Sequence, residues 1–140
     1  MKRFLFAILV LVLLCGCQAK VKAITTYEEW DALIASKSNY DEVVAYDLRK
    51  GTICDQGHVS GFICIFYQND LTIEEVKENI LLVYQKDALV LLMSEDGSDS
   101  LVLGEMLIDE GYTKVYYFMG GYQTYSSTKP NFIPEVGCNC

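Results

Sequence analysis

Histidine is nearly missing from this chain: His58 is the single one in 140 residues. Any site built on several histidines is therefore excluded, and with it the His-rich zinc and copper centres. Cationic side chains are few, 11 Lys+Arg against 19 Asp+Glu, and the formal net charge is -8. Binding a phosphate backbone needs a basic patch, so nucleic acid is excluded as a partner. Proline occurs twice, at Pro130 and Pro134, and interrupts nothing before them. The apolar run at residues 4–14 counts eleven side chains, about half of what a membrane-spanning helix needs. There is no internal repeat and no low-complexity segment. What remains is a chain 51% hydrophobic and 21% charged, the composition of a folded protein with room for one compact domain.

The apolar run has a specific setting. Lys2 and Arg3 precede it, and Leu14-Cys15-Gly16-Cys17 ends it. A basic start followed by a short apolar stretch is the layout of an export signal. The Leu14-Cys15-Gly16-Cys17 segment resembles the lipobox of bacterial lipoproteins. That resemblance implies removal of residues 1–16 and a diacylglycerol on the thiol of Cys17. The small Gly16 suits the position before the cut, whereas Leu14 before Cys15 does not. The expected location is the extracytoplasmic face of the cell membrane, held by acyl chains at about 0.8 kcal/mol per buried CH₂. Residues 17–24 read as a tether.

From residue 25 on, helices and strands alternate. Thr26-Tyr27-Glu28-Glu29 and Thr72-Ile73-Glu74-Glu75 both match a helix-opening capping box. Tyr27, Trp30, Leu33 and Ile34 share one helical face. Residues 43–46, 62–66, 88–93 and 114–119 read as strands. The uninterrupted apolar character of 88–93 suits a central parallel strand covered on both sides. Residues 99–110 read as a helix capped by Gly111, and a short helix is expected from Gly121 to about residue 127. Residues 49–60 read as a polar, turn-rich loop. The fold class is α/β: one domain over residues 25–127, a mostly parallel central sheet flanked by helices, and a Cys-containing tail at 128–140.

Three segments resemble rhodanese-like domains. Tyr46-Asp47-Leu48-Arg49 followed by Gly57-His58-Val59-Ser60-Gly61 matches the family's "D-V-R … G-H-I-P-G-A" signature. Gly111-Tyr112-Thr113-Lys114-Val115-Tyr116 and Gly120-Gly121-Tyr122-Gln123-Thr124-Tyr125 match its closing pattern, with Tyr125 where Trp is usual. The resemblance implies a structural role for His58 in holding loops together. It also implies a strand ending in a catalytic cysteine that carries a persulfide, cradled by backbone N–H groups. Here the strand runs instead into Ser94-Glu95-Asp96-Gly97-Ser98-Asp99-Ser100. Ser94 falls on the cysteine position, and Glu95 and Asp99 fall where arginines are common. Serine cannot carry a persulfide, and three carboxylates repel thiosulfate or phosphate. Each like-charge contact at about 5 Å costs about 3 kcal/mol at an effective dielectric near 20, before screening. Ser94 as a hydrolytic nucleophile would need a base, and His58 is the single candidate. The loop is thus expected to be a degenerate active site, with no catalytic residue, cofactor or metal.

Four cysteines remain beyond the lipobox: Cys54, Cys64, Cys138 and Cys140. Outside the cytoplasm they are able to pair, with three complete connectivities open. Cys54 and Cys64 also read naturally as core thiols. The expectation is at least one bridge from Cys138 or Cys140 to Cys54 or Cys64, strapping the tail to the domain. A Cys64–Cys138 bond would add about 4 kcal/mol in the chain-entropy model. The expected function is a membrane-anchored binding or scaffold module with a protein partner at the cell envelope. The alternative is a sulfur-handling or thiol–disulfide enzyme using cysteines away from the active loop.

Overall fold

The computed structural model describes residues 18–66 and 71–137. Five strands form one sheet: β1 (Lys22–Ile24), β2 (Val43–Asp47), β3 (Ile63–Cys64), β4 (Leu89–Met93) and β5 (Val115–Phe118). Their spatial order is β1-β5-β4-β2-β3, and every pairing is parallel. Parallel neighbours need crossovers, supplied by α1 (Tyr27–Ala35), α2 (Gly51–Asp55), α3 (Ile73–Val83) and α4 (Ser98–Asp109). Helix α5 (Gly121–Thr128) follows the last strand.

The capping residues act as their chemistry dictates. Thr26 Oγ1 accepts from Glu29 N at the start of α1. At α3 the full box forms, Thr72 Oγ1 accepting from Glu75 N while Glu75 Oε2 accepts from Thr72 N. Helix α3 then runs to Val83, with Val76 and Ile80 buried and Leu81 partly buried against the sheet.

Side chains alternate across the sheet with the two-residue period of a strand. On one face Val44, Tyr46, Val90, Leu92, Val115 and Tyr117 pack with Val76 and Ile80 of α3 and Leu103 and Leu107 of α4. On the other, Ala45, Leu89, Leu91, Met93 and Phe118 pack with Trp30 of α1 and Tyr125 of α5. All five residues of β4 are buried, as expected for a strand covered on both faces.

Two expectations need correction. Residues 22–24, read as tether, form the edge strand β1 in register with Tyr116, Tyr117 and Phe118 of β5. The reason is an open sheet edge: β5 offers free backbone groups, and three residues suffice to pair with them. Within the loop at 49–60, residues Gly51–Asp55 coil into α2, a turn too short for periodicity to reveal. Residues 132–137 pack on the domain through backbone and aromatic contacts: His58 N donates to Glu135 O and Glu135 N to His58 O, both at 2.9 Å. Gly137 N donates to Asp55 O at 2.9 Å, and Phe132 lies edge-on to Tyr122 and Tyr125. Among the described residues no helix is long and apolar enough to cross a membrane.

Candidate functional site

The loop after β4 begins at the C-terminal end of the sheet's central strand, the usual position for ligand chemistry in open α/β sheets. Ser94 is 2% exposed. Its Oγ accepts hydrogen bonds from Ser100 N at 3.2 Å and Ser100 Oγ at 2.9 Å. The hydroxyl is therefore tied across the loop to the first turn of α4. Its partners are both on Ser100, and the single histidine lies in another loop, bonded to Cys54 O. Among the described residues, no base is hydrogen-bonded to the Ser94 hydroxyl.

The loop is shaped from two sides. Gly97 adopts φ +91°, a left-handed turn that side-chain-bearing residues rarely take. A Cβ there would stand 3.1 Å from both Gly120 N and Phe118 O. From the other side, the N-terminus of α5 reaches the loop: Tyr122 N donates to Ser94 O at 2.8 Å and Gln123 N to Glu95 O at 3.1 Å. Gly121 makes this approach feasible, since any Cβ would collide with the Ser94 and Glu95 carbonyls. The paired glycines of the sequence thus serve to bring α5 against the loop.

Glu95, Asp96 and Asp99 all point to solvent. Asp96 Oδ1 accepts from Ser98 N at 3.0 Å and Ser98 Oγ at 2.6 Å. These bonds, the hydroxyl's first, hold its carboxyl below the usual aspartate range. The acids keep the loop's rim negative. Their exposure reduces the repulsion per contact well below the unscreened sequence figure, because water and salt screen charges at the surface.

Below the loop sits a buried ion pair. Asp47 is 0% and Arg49 5% exposed. Arg49 Nη2 meets Asp47 Oδ2 at 2.7 Å and Nε meets Oδ1 at 3.0 Å. Arg49 Nη2 also donates to Gly57 O at 2.7 Å, and the guanidinium stacks 3.5 Å from the Tyr122 ring. Arg49 therefore braces β2, the His58 loop and α5 together. These contacts are those of a structural brace.

The cysteines give the largest departure from expectation. Cys54 at the end of α2 and Cys64 in β3 form a disulfide, with Cα atoms 5.8 Å apart. The expected bridges from Cys54 or Cys64 to Cys138 or Cys140 are therefore not made. The short helix α2 turns Cys54 back onto the edge of the sheet, so its nearest thiol is Cys64, ten residues on. Cys17, Cys138 and Cys140 lie outside the described residues. His58 joins the pair: one ring nitrogen and the two sulfurs all lie within 4.8 Å of one another. Sequence reasoning set His58 apart as a loop brace and missed this grouping. The signal was present in the spacing, since Cys54 and His58 stand four residues apart on a segment that begins as a helix.

An α/β domain with an all-parallel five-stranded sheet and an active-loop position after its central strand defines the class. The family model for the rhodanese-like domain matches residues 26–128, and the chain belongs to that family. No curated protein matches it. Among solved structures, the reduced CoADR-RHD protein of Bacillus anthracis superposes with a TM-score of 0.61 at 22% identity over 82% of this chain. This chain spans only 18% of that protein. The Alr3790 protein of Anabaena sp. gives 0.56 at 14% identity, covering 75% of this chain and 88% of its own. RPA3614 of Rhodopseudomonas palustris, described as a possible tyrosine phosphatase, gives 0.51 at 18% identity, covering 84% and 85%. At these identities the likeness is one of fold.

Proposed function

We propose that this chain is a lipid-anchored rhodanese-like module on the extracytoplasmic face of the membrane, that its active loop transfers no sulfur, and that it works by binding a protein partner in the cell envelope. The observation that carries this reading is Ser94. The residue at the end of β4 has a hydroxyl where sulfur transfer needs a thiol, and that hydroxyl is buried and bonded to Ser100. The exposed Glu95, Asp96 and Asp99 around it disfavour an anionic sulfur donor. The anchor rests on the Leu14-Cys15-Gly16-Cys17 segment of the sequence. A thiol–disulfide enzyme turning over through Cys54 and Cys64 is disfavoured by their burial, 0% and 3% exposed, since exchange at a buried sulfur is slow.

Cross-linking in intact cells, followed by recovery of the chain and its adducts, tests the reading. One partner that is recovered equally with the wild type and with Ser94→Ala supports it. Absence of any specific adduct, together with sulfur transfer from thiosulfate by the wild type, defeats it. Intact-mass analysis tests the anchor separately: the chain should begin at Cys17 and carry a diacylglycerol, and an unmodified N-terminus at Met1 in membranes contradicts it.

A further inference from the structure

The cluster of Cys54, His58 and Cys64 has a feature that loop bracing leaves unexplained. All three residues are buried, at 0%, 0% and 3% exposure. The Nδ1 atom of His58 faces the Cys54 carbonyl at 3.1 Å. A carbonyl oxygen only accepts, so Nδ1 carries the hydrogen and donates it. Nε2 is then the nitrogen with the free lone pair, and it is buried without a hydrogen-bond partner. Buried polar atoms are almost always satisfied, and an exception calls for a cause. An imidazole that gives one N–H to a backbone carbonyl and keeps the other nitrogen open is the arrangement of a metal-ligating histidine.

We propose that reduction of the Cys54–Cys64 disulfide opens a site for a thiophilic divalent cation of the zinc class, held by Cys54 Sγ, Cys64 Sγ and His58 Nε2. An external dithiol supplies the two electrons and two protons. Its own sulfurs become a disulfide while the Cys54–Cys64 bond breaks into two thiols. Binding then breaks the two S–H bonds, forms two metal–sulfur bonds and one metal–nitrogen bond, and releases two protons.

The geometry and the charge both fit. Bonds of about 2.3 Å to sulfur and about 2.0 Å to nitrogen hold tetrahedral ligand atoms roughly 3.5–3.8 Å apart. One ring nitrogen of His58 and the two sulfurs already lie within 4.8 Å of one another, so the imidazole stands beside the pair, and the sulfurs must part to take up the ion. Two thiolates and a divalent cation sum to zero charge, which a buried site tolerates. The fourth position is left to water. The tail closes over the segment that carries two of the ligands, through His58–Glu135 backbone pairing and the Gly137–Asp55 bond. The site is thus blocked by its own disulfide in the oxidised protein and is formed from within the fold on reduction. It is independent of whether the domain serves as a scaffold.

The test uses the full-length chain in detergent, with Cys15→Ser, Cys17→Ser, Cys138→Ser and Cys140→Ser so that the Cys54 and Cys64 thiols alone remain. Cobalt(II) is the probe, read by its thiolate charge-transfer absorption. The oxidised protein should take up none. After reduction by a phosphine and removal of the reductant, it should bind one equivalent, displaced by zinc(II). His58→Gln should lower the affinity at least about tenfold with the far-UV spectrum unchanged. Where His58→Gln does not fold, Cys64→Ser, which keeps His58 and its backbone pairing, should cost at least about tenfold and weaken the charge-transfer band. Equal uptake before and after reduction overturns the proposal. So do a folded, reduced protein that binds no cobalt, a chain that unfolds on reduction, and an affinity that neither variant changes.

Discussion

Reducing the Cys54–Cys64 bond in metal-free buffer should lower the stability of the folded domain by about 2.7 kcal/mol. The figure follows from the ten-residue separation of the two cysteines and the loop-closure entropy that the bond removes from the unfolded chain. For a domain of this size the loss corresponds to a fall of about 10 °C in the thermal midpoint. Thermal melts followed by circular dichroism, with and without a phosphine reductant, read the difference. A tail bridge from Cys64 to Cys138 would span 74 residues and contribute about 4 kcal/mol by the same relation, so the size of the effect distinguishes the pairings. Peptide mapping without reduction should recover Cys54 joined to Cys64. A midpoint that ignores the reductant, or a peptide linking Cys64 to Cys138 or Cys140, would refute the reasoning.

Other outcomes follow from the same structure. Ser94→Cys alone should not turn over thiosulfate, because a thiol at that position gains at most about 0.3–1 kcal/mol from the N-terminus of α4 while Glu95, Asp96 and Asp99 oppose both the thiolate and its anionic donor; adding Glu95→Arg and Asp99→Arg should produce measurable persulfide, detected by mass spectrometry. Asp47→Asn should destabilise the domain by about 3–5 kcal/mol in urea unfolding, since it leaves the buried Arg49 guanidinium without its carboxylate. Burial, then the hydrogen bond to Asp31, pushes the Tyr125 hydroxyl up to about 12. Because the folded value lies above the ordinary one near 10, that contribution to stability is complete below pH 10 and is lost as the pH rises towards 12. Tyr125→Phe should therefore flatten part of the alkaline fall in stability measured by urea titration.

The parts of the fold that were legible are those where many residues carry one message. The apolar run at β4, the N-caps at Thr26 and Thr72, and the glycine pair Gly120 and Gly121 each match a local rule that the fold then uses. The parts that were not legible depend on partners distant in sequence. Residues Lys22–Ile24 have no strand pattern of their own and become β1 because β5 offers them an edge. Helix α2 is five residues long, below the length at which periodicity exists. The Cys54–Cys64 pairing follows from that helix, so missing the helix meant missing the bond. That Ser94 directly follows the apolar strand was visible in the sequence. That its hydroxyl is buried and bonded to Ser100, while the three acids beside it stay in solvent, required the fold.

The most direct test of the central claim is the rate at which the reduced, full-length wild-type chain transfers sulfur from thiosulfate to cyanide. A loop that ends β4 in a bonded serine predicts no thiocyanate above the uncatalysed background and no gain of a sulfur atom in the intact mass of the protein. Catalysed thiocyanate formation that survives Cys54→Ser and Cys64→Ser, and is lost on Ser94→Ala, would contradict it.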